Sequence, residues 1–161
     1  MPIDYIPYIR KKVGHERILS VGLSCLILNE KDEVLLEKRT DNGLYCRPGG
    51  SLDLGETVIE GVKREVFEET GIKLEKVSLF MILSGEKMEI KYPNGDITDY
   101  TDLVFVSHVD SRKIKMKIQD GESSELIFFP FDKLPDPSKM LAGTMYALEK
   151  LQRGDYTLTV D

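Results

Sequence analysis

GSLDLGETVIEGVKREVFEETGI, residues 50–72, sets a helix behind a glycine-rich loop and loads that helix with acids. Thr57 suits an N-cap, Glu60 follows at capping-box spacing and Gly71 is a natural stop, so the spacing predicts a helix over 57–70. At about 100° per residue, Val58, Ile59, Val62 and Val66 fall within one arc and form the expected core-facing stripe. Glu65 and Glu69 are one turn apart and Glu68 lies three residues from Glu65, so the three acids share a face. Glu69 falls between Val58 and Val62 in angle. A carboxylate beside an apolar stripe is costly unless its charge is compensated.

Helix energetics oppose this arrangement twice. Like charges at i and i+4 repel by a few tenths of a kcal/mol, and the macrodipole disfavours anions near a helix C-terminus. A hard divalent cation removes the conflict, since Mg²⁺ takes carboxylate oxygens and keeps water for substrate phosphates. The plainer reading is a solvated acidic face paired with Lys63 and Arg64, and taken alone REVFEE fits that reading better.

The residues upstream change the balance. Gly50, Glu56, Arg64, Glu65, Val66, Glu68, Glu69, Gly71 and Ile72 obey one spacing: G, five residues, E, seven residues, then R-E-apolar-x-E-E-x-G-apolar. At average residue usage a chance match is on the order of one in ten million. The pattern resembles the Nudix box of the Nudix hydrolase superfamily at every fixed position. The resemblance implies an α/β/α sandwich around a mixed β-sheet, with the box forming a loop–helix–loop. It also implies that Glu65, Glu68, Glu69 and the carbonyl of Gly49 bind Mg²⁺ or Mn²⁺, with Glu56 and Arg64 in support. Arg64 and Glu68 are i, i+4 neighbours, so a plain helix salt bridge also accounts for that arginine.

A diphosphate linkage repels an anionic nucleophile. A divalent metal neutralises phosphate oxygens, lowers the pKa of bound water and aligns it for attack at phosphorus. Some carboxylate must accept the proton. Glu65 is one candidate. Family members also use an acid outside the box, and Asp120, Glu122 and Glu125 stand in a loop resembling that position, with Glu122 and Asp120 ranked ahead of Glu125.

Outside the box, the pattern predicts a helix over 4–13, a buried strand over 18–28 and a hairpin partner at 33–39. Further strands are expected at 76–83, 88–92, 103–109 and 126–131, with a hairpin turn at Asn94-Gly95 and a closing helix over 137–152. The 161 residues suit one domain, 1–161, with a short N-terminal extension at 1–16. The formal charge of −6 and the lack of a basic stripe argue against nucleic acid as partner, including an RNA 5′ end. No run is apolar enough to span a membrane. Two cysteines, Cys25 and Cys46, in apolar surroundings read as buried free thiols, and with no secretory signal at the N-terminus the chain is expected to be cytoplasmic.

The box fixes the bond, not the molecule. The leading expectation is an enzyme that hydrolyses a nucleoside diphosphate linked to another moiety, such as a nucleotide sugar. It would give a nucleoside monophosphate and phospho-X. The alternatives are a MutT-like nucleoside triphosphate pyrophosphohydrolase and a nucleotide-sensing module without turnover. The N-terminal extension and the hairpin around Tyr92–Asp96 are expected to shape the second-moiety pocket. Tyr5, Tyr8, Tyr92 and Tyr100 are aromatic candidates for stacking. Lys38, Arg39 and Arg47 are candidates to face the phosphates. Markers of the ADP-ribose, NADH and coenzyme A subtypes are absent. Family members are often homodimers, though no self-complementary face shows in this sequence.

Overall fold

The computed structural model describes residues 1–119 and 121–161. In chain order the elements are α1 (Tyr5–Val13), β1 (Ile18–Leu28), β2 (Val34–Arg39), β3 (Tyr45–Cys46), β4 (Gly49–Ser51), α2 (Val58–Thr70), β5 (Ser78–Leu83), β6 (Glu89–Lys91), β7 (Ile97–His108), β8 (Ser123–Phe129), α3 (Ala142–Gln152) and β9 (Thr159–Val160).

Strand β1 organises the rest. Its side chains alternate between two cores: Leu23, Cys25 and Ile27 join α2's Val62 and Val66, while Leu26 and Leu28 join α3's Ala147, Leu148 and Leu151. A strand covered on both faces needs apolar residues at successive positions, which is why this run reads as continuous rather than alternating. β7 runs parallel to β1 along its whole length, from Ile18↔Thr98 to Leu28↔His108. β5 and β6 pair antiparallel with β7, and β9 pairs parallel with β5. On its other edge β1 takes β4 through Gly22↔Ser51, Leu23↔Gly50 and Ser24↔Gly49. The result is the expected α/β/α sandwich around a mixed sheet.

Helix α2 follows its local signals. Thr57 Oγ1 accepts the Glu60 N–H at 3.3 Å, the Glu60 side chain accepts the Thr57 N–H at 2.9 Å, and Gly71 closes the helix in the left-handed region. The C-terminal carbonyls find donors in the segment between β7 and β8: Lys117 N–H reaches Thr70 O and Gln119 Nε2 reaches Phe67 O. Ile59 departs from the predicted stripe and is exposed, whereas Val58 packs on the core and Gly61 is buried against Leu23.

Four other expectations change. The β1–β2 hairpin pairs only at Leu28↔Val34, and β2 turns to β3 and β8, which begins at Ser123. At Asn94-Gly95 the hairpin has a three-residue loop, with Gly95 N–H on Tyr92 O and Tyr92 N–H on Asp96 O, and Gly95 takes the positive φ. Residues 86–92 split into a 3₁₀ turn and short β6. The closing helix starts at Ala142. Residues 137–139 form a separate 3₁₀ turn, because Met140 and Leu141 stay extended to bridge Tyr45.

Candidate active site

The Gly49–Gly50 pair is dictated by close approach. A Cβ at residue 49 would stand 2.6 Å from Ser24 Cα and on the Leu23 carbonyl, and a Cβ at residue 50 would fall on the Glu65 carboxylate. The bare strand β4 therefore lets the α2 carboxylates reach the sheet. From the loop side, Gly49 N–H donates to Glu69 Oε2 at 2.7 Å, which places that buried acid under the turn.

Arg64 is the hub. Its Nε and Nη2 donate to Glu56 Oε1 and Oε2 at 2.7 and 3.0 Å, a two-pronged pair. Nη1 donates to Glu65 Oε1 at 2.9 Å and to Glu68 Oε2 at 3.1 Å, and Nη2 also reaches the Ser51 carbonyl at 3.1 Å. The hydrogen bonds from Arg64 hold the Glu56 carboxyl below the usual carboxylate range, and Glu56 in turn raises the Arg64 guanidinium. Glu65 goes the other way: burial pushes its carboxyl up to about 7, against the pull of Arg64.

Among the described residues, no group of three His, Cys, Asp or Glu side chains stands close enough to clasp a metal ion as they are arranged. Glu65 and Glu68 lean on Arg64, and Glu69 on Gly49. The donor set still suits a hard cation, since carboxylates and a carbonyl are the oxygen ligands Mg²⁺ takes. A carboxyl whose ionisation is suppressed by burial is also one that a cation would relieve.

A cavity of about 350 Å³ opens over Gly49 and Gly50 on the side of the sheet facing α3. Of the expected substrate-binding residues, Arg39, Arg47 and Tyr92 all line it, as does Tyr100. Their states differ. Arg39 is clamped by Asp41, with Nε–Oδ1 at 2.8 Å. Tyr92 shares its hydroxyl with Tyr100 at 3.0 Å, and burial raises its phenol. Arg47 does not project toward a phosphate: it is buried, and its guanidinium is spent on Asp102, Ser24 Oγ and Thr144 Oγ1. Tyr5 and Tyr8 lie away from this cavity. Helix α1 likewise lines none of it; its Arg10 instead braces the hairpin by donating to Ile97 O and Thr98 Oγ1.

Among the loop acids, Glu122 is exposed at the end of β2, where its carbonyl accepts the Thr40 N–H. Glu125 is engaged with Lys38 Nζ at 3.3 Å and Tyr45 Oη at 3.1 Å. Asp120 lies outside the described residues. Cys25 and Cys46 are buried and free, as expected.

Two site residues escape the sequence reading. Asp53 accepts the Tyr5 N–H and sits 3.4 Å from Arg64. Asp102 lies buried on β7 beneath the cavity. The sequence carries a faint signal for the second, an acid opening the apolar run Leu103–Val106, since such an acid needs a buried partner.

A glycine-bare strand facing a helix whose acids run from buried Glu69 to exposed Glu68, with an arginine hub, defines a loop–helix site of hard oxygen donors. A model of the NUDIX domain matches residues 19–149, and the chain belongs to the Nudix family. It is 32% identical over 112 residues to the ADP-ribose pyrophosphatase of Methanocaldococcus jannaschii, covering 68% of this chain and 61% of that protein. It is also 32% identical over 116 residues to the 8-oxo-dGDP phosphatase NUDT18 of Mus musculus, covering 70% and 32%. The matched segments thus span less than two thirds of either relative. Among solved structures, the MutT Nudix hydrolase of Burkholderia pseudomallei superposes with a TM-score of 0.67 at 29% identity, covering 83% of this chain and 98% of that one.

Proposed function

We propose that the chain hydrolyses the phosphoric anhydride bond of a nucleoside diphosphate linked to another moiety, giving a nucleoside monophosphate and phospho-X. The carrying observation is the cavity of about 350 Å³ lined by Gly49 and Gly50, the bare strand against which the Glu65 carboxylate of α2 packs. That volume suits one nucleoside-sized group. The phosphates then lie across β4, and the second moiety points out past Glu68, whose side chain is 53% exposed.

Glu65, Glu68, Glu69 and the Gly49 carbonyl would hold Mg²⁺ or Mn²⁺. Such an ion supplies charge neutralisation at the phosphate oxygens and a more acidic water. Arg64 orients Glu65 and Glu68. Glu56 fixes Arg64. Glu65, which Arg64 holds beside the bare strand, is the candidate to accept the proton of the attacking water. Glu122 and Asp120 are the alternative bases. Tyr92 and Arg39 wall the nucleoside side.

The relatives' names divide between ADP-ribose, 8-oxo-dGDP and 8-oxo-dGTP. The absence of the ADP-ribose subtype marker therefore does not by itself remove that substrate. Incubating the protein and Mg²⁺ with nucleotide sugars, dinucleotides, nucleoside diphosphates and triphosphates, then separating the products, tests the reading. Release of nucleoside monophosphate from a conjugate supports it, and turnover of triphosphates alone overturns it. Glu69→Gln should stay folded and lose at least about a hundredfold in activity; a fully active variant refutes the metal assignment. The expectations of cytoplasmic location, a homodimer and no nucleic-acid or membrane partner stand with this proposal. Among the described residues, no helix is long and apolar enough to cross a membrane.

A further inference from the structure

The cavity floor holds a carboxylate that the reaction does not use. Asp102 has a side chain only 7% exposed. Its Oδ2 is committed, accepting from Ser24 Oγ at 2.8 Å and from Arg47 Nη2. Its Oδ1 is turned toward Gly22, its register partner on β1, and stands 2.8 Å from where a Cβ on residue 22 would be. Among the described residues no hydrogen bond reaches Oδ1. A side chain at residue 22 would bury this oxygen; glycine leaves it open to the cavity that Gly22, Tyr100 and Asp102 line together.

The geometry points to Asp102 as the specificity residue of the cavity, with Oδ1 accepting a hydrogen bond from an N–H or O–H donor on the nucleoside. This deepens the hydrolase reading above and rests on it. Register sets the scale. Ser51 on β4 faces Gly22 on β1, and Gly22 faces Asp102 on β7, so Asp102 lies two strand spacings, about 10 Å, from the phosphate-facing strand. That is the reach of a nucleoside whose phosphates rest on Gly50. The carboxylate accepts only, so it rewards a donor and penalises an acceptor at that point. Arg47 and Ser24 hold it rigid, and the tyrosine pair Tyr92–Tyr100 walls the same space. A buried acceptor left without a donor is the means by which a site rejects analogues lacking one group.

The donor could be a base amino group or a sugar hydroxyl, and a panel of 5′-diphosphates separates the two. Adenosine against purine riboside and guanosine against inosine each remove an amino group. Each ribonucleotide against its 2′-deoxy form removes a hydroxyl. Binding is measured calorimetrically in EDTA and turnover in Mg²⁺. In the wild type, deleting one of these donors should weaken binding at least about tenfold. Asp102→Asn turns its oxygen to the donor-only Arg47 and its amide N–H₂ to the cavity, so discrimination should vanish or invert. Gly22→Ala puts a methyl closer to Oδ1 than contact allows, so the carboxylate must turn from the cavity, and it should also abolish discrimination, which keeps the test decisive if Asp102→Asn melts early. The proposal is overturned if the wild type binds and hydrolyses nucleotides with no pairwise difference, or if both variants discriminate as the wild type does. A wild type that neither binds nor hydrolyses any nucleotide overturns the hydrolase reading itself, and this inference with it.

Discussion

Arg64 balances four carboxylates, Asp53, Glu56, Glu65 and Glu68, and the consequences of removing it can be ranked. Glu56 is its tightest partner and is nearly sealed, with a side chain 4% exposed. Losing Arg64 strands that buried charge. Breaking a fully buried pair costs about 3–5 kcal/mol; Arg64 is itself 26% exposed, so Arg64→Ala should cost about 2–3 kcal/mol by urea denaturation. Arg64→Lys should recover less than half of that, because an ammonium cannot make the two-pronged pair. Adding Glu56→Gln to Arg64→Ala should restore stability; a double variant no better than the single would show that the stranded charge is not the cause. Glu65 gives a pH signature. Its carboxyl is raised from 4.5 to about 7 by burial, so the folded metal-free protein favours the neutral form. The stability this lends is full below about pH 4.5 and lost as pH rises through about 7, amounting to at most about 3 kcal/mol. In EDTA the melting temperature of the wild type should fall by roughly 3–8 °C more than that of Glu65→Gln between pH 5 and pH 8. Equal slopes would refute the shift.

Helix α2 shows what local sequence can and cannot convey. Its ends were legible because a cap is a short-range device: Thr57 pairs with Glu60 three residues on, and Gly71 N–H with Phe67 O four residues back. Thr57→Ala should therefore cost about 1 kcal/mol in urea denaturation, and the loss should be independent of added Mg²⁺. Glu69 was legible too, since its angle placed it among the valines and the structure buries it. Ile59 was not: it shares the valines' arc yet is exposed, while Gly61, outside that arc, is buried against Leu23. The same limit applies to α3. Pro137 looks like a helix start, yet the helix waits for Ala142 because Leu141 N–H is held by Tyr45 O, a residue almost a hundred positions away. β9 is two residues long and set only by its partner β5, so no periodicity could announce it. The sequence offers Arg47, beside a glycine pair, as a candidate to face the phosphates; its burial follows from Asp102 and Thr144, which no spacing rule connects to it.

At the scale of the whole molecule, that buried arginine joins layers that the loops leave separate. Arg47 precedes the Pro48–Gly49 turn, Asp102 belongs to β7, Ser24 to β1 and Thr144 to α3. The Thr144 hydroxyl accepts from both Arg47 N–H at 3.2 Å and Nη1 at 3.0 Å, and the residue is fully buried. One side chain thus pins α3 to the strand that presents Gly49 to Glu69. Valine keeps the shape of threonine and removes the acceptor. Thr144→Val should then leave two buried donors short of a partner and cost about 1–3 kcal/mol. The cost should not be spread evenly. Helix α2 keeps its own cap and Arg64 network, whereas α3 loses its polar tether to the cavity floor. Amide hydrogen exchange should accelerate in Ala142–Leu148 and around Arg47 well before it does in Val58–Thr70. Uniform acceleration across both helices would mean that the tether merely adds to global stability. Exchange confined to α3 and the Gly49 turn would show that the substrate cavity and the acidic helix are held in register through Arg47.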